Sequence, residues 1–182
     1  MGKFAVNRCI YTLSMKDFLI YVKLESYLAE WLTHSFGYPV RFPDQSVENA
    51  IIHQYLTVRE AGALVDTDKE GKVPIVITDS SLRRPEYYNH FGQRGQAALI
   101  RHLDNLFRVN LWSECVPLIT FKRKRKLNAG LDEWCYSHGI SLDHREAVRQ
   151  KFYRMRKKYE SYGIILGNFH KKKQPRECNE SY

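Results

Sequence analysis

The sequence predicts an α+β fold, with a small sheet and covering helices in the N-terminal part and a helical, helix-turn-helix-like C-terminal part. Three observations predict it. Over the first 112 residues, short apolar runs rich in β-branched side chains alternate with stretches of helical periodicity. After Trp112 the strand signals stop and two amphipathic helical patterns remain. The composition, 43% apolar and 13% aromatic against 27% charged, supplies a core and excludes a low-hydrophobicity disordered chain. At 182 residues the chain is one large domain or two small ones. The change of character suggests a neutral α/β module at 1–115, a basic helical module at 116–168 and a flexible tail at 169–182.

The elements follow from local signals. Phe18, Leu19, Ile20, Tyr21 and Val22 form a run with the length and branching of a buried strand. Leu24, Leu28, Trp31, Leu32 and Ser35 share a helical face, and Gly37 stops that helix. Val40, Arg41 and Phe42 alternate as a short strand before Pro43. Ser46 is placed to cap a second helix, whose apolar face is Val47, Ala50, Ile51, Tyr55 and Val58. Residues 66–72 read as a polar turn, and Ile75, Val76 and Ile77 as a strand begun after Pro74. Residues 83–91 read as an aromatic-dense connection. Ala97, Ile100, Leu103 and Phe107 then mark a third helix ending near Asn110. Further on, Leu127, Leu131, Trp134 and Cys135 define an amphipathic helix stopped at Gly139. Asp143 with Glu146 resembles a capping box opening a last helix that runs to about Tyr162.

Charge is segregated along this order. Residues 1–120 carry 13 basic and 13 acidic side chains, whereas residues 121–182 carry 16 basic and 7 acidic, so the whole net charge of +9 lies in the last third. A neutral body joined to a cationic segment is the asymmetry of a chain that meets a polyanion. No apolar run approaches the ~20 residues a membrane span needs, no signal peptide is legible, and the setting expected is the cytoplasm. Cys9, Cys115, Cys135 and Cys178 are dispersed, which fits reduced thiols better than a disulfide framework. Cys135 and His138, with Cys115 and His144, match no established zinc spacing, so burial of the thiols is the simpler reading.

The last helix carries the mechanism. Val148, Phe152, Met155 and Tyr159 recur at steps of four, three and four and form one apolar stripe. Seven cations surround that stripe, and only Glu146 and Glu160 oppose them within the helix. A helix, a glycine turn and a cationic helix is the order of a helix-turn-helix, although residues 140–144 make a longer turn than usual. Arg145 and Arg149, near the helix start, are candidates for reading base edges, since a guanidinium can donate to O6 and N7 of guanine together. Lys151, Arg154, Arg156 and Lys158, with the uninterrupted run Lys122, Arg123, Lys124, Arg125 and Lys126, are candidates for phosphates. Duplex DNA is the partner expected, with a possible homodimer formed through the N-terminal module.

Two other uses of the same residues stand beside this one. Tyr153, Tyr159, Tyr162 and Phe169 are interleaved with Arg and Lys, so a single strand or RNA could stack on the rings. The basic segment could instead dock on an acidic protein. A membrane-surface helix fits less well, because no exposed Trp or Leu cluster flanks the polar face. No phosphate loop, nucleophile elbow, H-E-x-x-H or Asp-x-Asp motif points to an enzyme or a cofactor. Asp79, Ser80, Ser81, Arg83 and Arg84 converge after a strand, where a turn with a helix cap explains them more simply; His53 and His90 read as structural or surface groups.

The segments Y-L-A-E-W-L, V-R-F-P, S-V-E-N-A, Y-Y-N-H-F, W-C-Y-S-H-G-I and Y-R-M-R-K-K-Y together resemble a family of uncharacterised proteins from gut Bacteroides-type bacteria. The family is associated with mobile or phage-derived DNA. The resemblance implies DNA binding in a bacterial cytoplasm and supplies no catalytic residues.

Overall fold

The computed structural model describes residues 18–59, 69–80, 82–120 and 127–164. It begins with β1 (Leu19–Lys23), which pairs antiparallel with β3 (Lys72–Val76), Ile20 opposite Ile75 and Val22 opposite Val73. Ile77 N–H donates to Phe18 O at 2.9 Å, so every second residue of β3 turns its N–H toward β1. Val76 N–H faces the other way, onto Val40 O at 2.9 Å, and Val40 lies as a parallel bridge against Ile75. Pro74 therefore sits inside the strand rather than before it, with its ring nitrogen on the side away from β1, where no ladder bond is lost.

Helix α1 (Ser26–Phe36) buries Tyr27, Leu28, Trp31 and Leu32 and ends at Gly37, whose φ of 83° few other residues adopt. Helix α2 (Val47–Tyr55) starts at Ser46, whose hydroxyl accepts from Asn49 N–H. Its inward face departs from the apolar pattern. Glu48, Asn49 and Ile52 are buried, while Val47 and Ala50 face solvent. The reason is polar: Asn49 Nδ2 donates to the carbonyls of Phe42 and Pro43, and Glu48 meets His102 Nε2 at 2.7 Å. Val58 is not helical at all. It belongs to β2 (Leu56–Val58), which pairs antiparallel with β4 (Tyr88–Phe91), a strand inside the stretch that reads as a connection. Among the described residues the sheet is thus two separate two-stranded ribbons.

Arg83 explains the convergence after β3. Its Nη1 donates to the carbonyls of His53, Gln54 and Leu56, capping the C-terminal end of α2 where the helix dipole favours a cation.

Helix α3 (Gln93–Thr120) is 28 residues long, so it passes well beyond Asn110 and spans about 42 Å at 1.5 Å per residue. Leu99, Leu103, Phe107, Leu111 and Cys115 are fully buried at steps of four. Each step turns about 40° past a full revolution, so the buried stripe winds round the helix. The first turns of α3 pack on α2 and its later turns on α4 (Leu127–Ser137) and α5 (Arg145–Ser161). The expected boundary at residue 115 falls inside this helix, and buried residues from Ile20 to Phe152 form one cluster. At its centre, Phe107 meets the rings of Tyr27, Trp31 and Trp134 at centroid distances of 5.1, 5.4 and 5.7 Å. No helix among the described residues is long and apolar enough to cross a membrane.

Candidate nucleic-acid interface

The α4 to α5 turn is set by two local devices. At the end of α4, Ile140 N–H bonds to Cys135 O at 2.9 Å and Gly139 N–H to Tyr136 O at 3.2 Å, the paired pattern that needs a left-handed residue between them. Gly139 supplies it with φ 72°, and a Cβ there would stand 2.6 Å from the His34 ring. Ile140 then re-enters the core.

A one-turn 3-10 helix at Leu142–His144 leads into α5, and it is tied to α1 rather than closed by a capping box. Ser141 N–H donates to Glu30 Oε2 at 2.9 Å, and His144 Nδ1 lies 3.1 Å from Glu30 Oε1. Burial pushes the Glu30 carboxyl up, but the Ser141 and His144 hydrogen bonds outweigh it and hold the group below the usual carboxylate range. The N-cap of α5 is His144 rather than Asp143 and makes no side-chain cap bond, and Glu146 accepts from Arg149 and Gln150 instead.

With α5 anchored, the cations separate by partner. Arg149, a candidate base reader, grips Asp132 of α4 through Nε and Nη2 at 3.0 and 2.6 Å, and its Nη1 reaches Glu146 at 3.3 Å. The Asp132 hydrogen bonds push its pKa up further. Arg145 is half-buried beside Cys135, with its Nε enclosed and without a hydrogen-bond partner among the described residues. The Arg149 guanidinium is therefore turned onto α4 and its own helix, because this stretch of α5 packs against α4. Lys151 is likewise inward. Its side chain is 15% exposed, and its ammonium donates to Asp104 and to the Tyr27 hydroxyl while lying over the Tyr27 and Phe107 rings. Burial first, then Glu25 and Asp104, raise the Tyr27 phenol well above its ordinary value. Arg156 pairs with Glu160 at 2.9 Å.

Arg154, Lys157 and Lys158 remain. All three are exposed and have no carboxylate partner among the described residues. Lys122, Arg123, Lys124, Arg125 and Lys126 lie outside the described residues. Two exposed cations were missed in the pattern: Lys157, and Arg108 on α3, which unlike the others is paired, with Asp104 at 3.0 Å. The seven-residue spacing of Arg94, Arg101 and Arg108, which puts all three on one exposed face of α3, was the signal.

Between α1, α3 and α5 runs a groove of about 670 Å³. Arg108, Lys151, Arg154 and Lys158 line it, against the carboxylates of Glu25 and Asp104, and Asp104 is already held by two of those cations. Leu28, Ile100 and Met155 make its apolar floor. Further along α5, Tyr159 stacks on Trp112 at 4.5 Å and 14°. Tyr159 is 39% exposed, so the apolar stripe of Val148, Phe152 and Met155 ends in a ring that is open to solvent on one side. Comparison with family models, curated proteins and solved structures finds no match to this chain.

Among the described residues no group of three or more His, Cys, Asp or Glu is placed to hold a metal. Cys115 and Cys135 are buried free thiols, and burial pushes them up to about 12 and about 11.

Proposed function

We propose that this chain is a cytoplasmic nucleic-acid-binding protein that holds duplex DNA by its phosphates through the outer face of α5 and the basic run at 122–126. The observation that carries this reading is the partition of charge on α5. Arg149, Lys151 and Arg156 are spent on Asp132, Asp104 and Glu160, whereas Arg154, Lys157 and Lys158 face solvent without a carboxylate partner among the described residues. The run at 122–126 enters by its charge alone. Because Arg149 is held by Asp132 and Arg145 is half-buried with its Nε enclosed, binding is led by phosphates and only weakly selective for sequence.

A titration of labelled duplex over a range of salt tests it. Neutralising about six phosphates makes affinity fall roughly a thousandfold between about 50 and 200 mM salt. Replacing Arg154, Lys157 and Lys158 by Ala together lowers the slope of log affinity against log salt by about 2.7, at roughly 0.9 per phosphate contact. Absence of binding at low salt, or binding without a salt slope, overturns the reading.

A further inference from the structure

The groove between α1, α3 and α5 has a chemistry that the outer face of α5 lacks. Four cations line it, and the two carboxylates among them leave an excess of positive charge. Its floor is apolar, and Met155 brings a polarisable thioether, which favours the edge or face of an aromatic ring. Arg108 and Arg154 flank that floor from α3 and α5 with planar guanidinium groups, which stack on aromatic rings as well as pairing with oxyanions. Its volume of about 670 Å³ lies within the range of sites that enclose small ligands. The occupant that matches all of this carries an anionic group at one end and a flat apolar body at the other.

We infer that the groove is a nucleotide site: it takes one nucleoside monophosphate unit, the base over Leu28, Ile100 and Met155 against the Arg108 guanidinium, and the phosphate on Lys158 and Arg154. The unit comes from either of two sources, a free mononucleotide or one residue of a single strand. Lys151 is not one of the phosphate ligands, because Asp104 and Tyr27 already hold its ammonium. The site deepens the reading of α5 as a nucleic-acid face, since Arg154 and Lys158 stand at its rim. It also differs from the duplex surface in one respect that can be tested: it can be filled without altering charge. Ala147 lines the groove on an exposed turn of α5, so Ala147→Phe blocks the floor and leaves every cation in place.

The experiment uses the full chain. Amide shifts are followed by NMR as millimolar adenosine monophosphate is added, with inorganic phosphate as the control. Labelled oligothymidylate and labelled duplex are then titrated against the wild type and Ala147→Phe. The expected result is that adenosine monophosphate shifts residues 100–108 and 147–158, while phosphate alone gives a clearly smaller response. Ala147→Phe weakens the single strand by about tenfold, the effect of losing one stacked base, and changes duplex affinity less than about twofold. Displacement of the strand by excess mononucleotide shows that both sources share the groove; a bound strand that mononucleotide does not displace limits the site to strands. Equal shifts with phosphate and mononucleotide, shifts outside the groove, or an Ala147→Phe variant that binds the strand as tightly as the wild type each overturn the inference. If duplex binding fails while the groove shifts remain, the phosphate reading of α5 falls and the nucleotide site stands.

Discussion

Lys151 separates a structural cation from a binding one. In the sequence it belongs with Arg154 and Lys158, three and seven residues on, yet its ammonium lies between Asp104 and Tyr27 over two aromatic rings. Lys151→Ala removes two hydrogen bonds to or from charged groups and the stem that covers Phe107. A hydrogen bond of that kind contributes about 1.5–3 kcal/mol when enclosed, and removing one member of a fully buried pair costs about 3–5 kcal/mol. Asp104 keeps Arg108 at 3.0 Å and is partly solvated, so the cost falls below the fully buried range and near that of one such hydrogen bond, about 2 kcal/mol. For a chain of this size that corresponds to a fall in melting temperature of about 4–8 °C. Lys151→Met keeps the stem over the rings and loses only the charge, so it falls less, by about half as much. Thermal melts followed by circular dichroism read both variants, and duplex titration at fixed salt reads the proposed binding. Affinity stays within about twofold of wild type, because one phosphate contact is not being removed. An unchanged melt together with a severalfold loss of affinity for Lys151→Ala would place the ammonium in solvent and refute the reasoning.

Other outcomes follow from the same contacts. Glu30 has its pKa held below the unfolded value, so its contribution to stability is complete above the ordinary carboxylate range near pH 4 and is lost as pH falls through the lower folded value. Acid titration of stability therefore drops more steeply for the wild type than for Glu30→Gln, which is already weaker at neutral pH by about 1–2 kcal/mol from the lost Ser141 and His144 bonds; parallel curves would contradict this. Gly139→Ala forces a side chain into a left-handed backbone and against the His34 ring, and chemical denaturation should show a loss of at least about 1 kcal/mol. Cys115 and Cys135 are protonated at neutral pH and enclosed, so peptide mapping after brief alkylation finds them unmodified in the native protein and modified in denaturant.

What was legible in the sequence were the features written in adjacent residues. The ends of α1 and α4 show as Gly37 and Gly139, and the Ser46 cap shows as Ser before an apolar run, because each acts within one turn of chain. The strand Tyr88–Phe91 was hidden, since only Phe91 of its four side chains is buried and no alternation survives. The length of α3 was hidden as well, because a stripe advancing by four drifts off the face where it began, and Pro117 argues for an end that does not come. For the interface, the existence of a cationic helix could be read, but the availability of each cation could not. Arg149 is matched by Asp132, and Lys151 by Asp104, 47 residues away; only folding brings those carboxylates opposite. Arg154 and Lys158 are exposed, as the face beside the apolar stripe predicts, whereas Lys151, seven residues before Lys158 on that same face, is drawn inward by Asp104.

The long helix α3 runs unbroken across residue 115 and ties its two ends to one core. Phe152 of the cationic helix leans on Trp112, Lys151 reaches back to Asp104 and Tyr27, and the turn before α5 is tied to Glu30. A cut at residue 115 would divide one rod and leave the excised helix without the carboxylates that neutralise its inner cations, with Lys151 and its apolar neighbours newly wetted. The charged helix is therefore not a cassette that recombination could move to another protein by itself. Fusions that preserve its charge pattern have to carry α1 and α3 with it, because those elements decide which of its cations stay exposed.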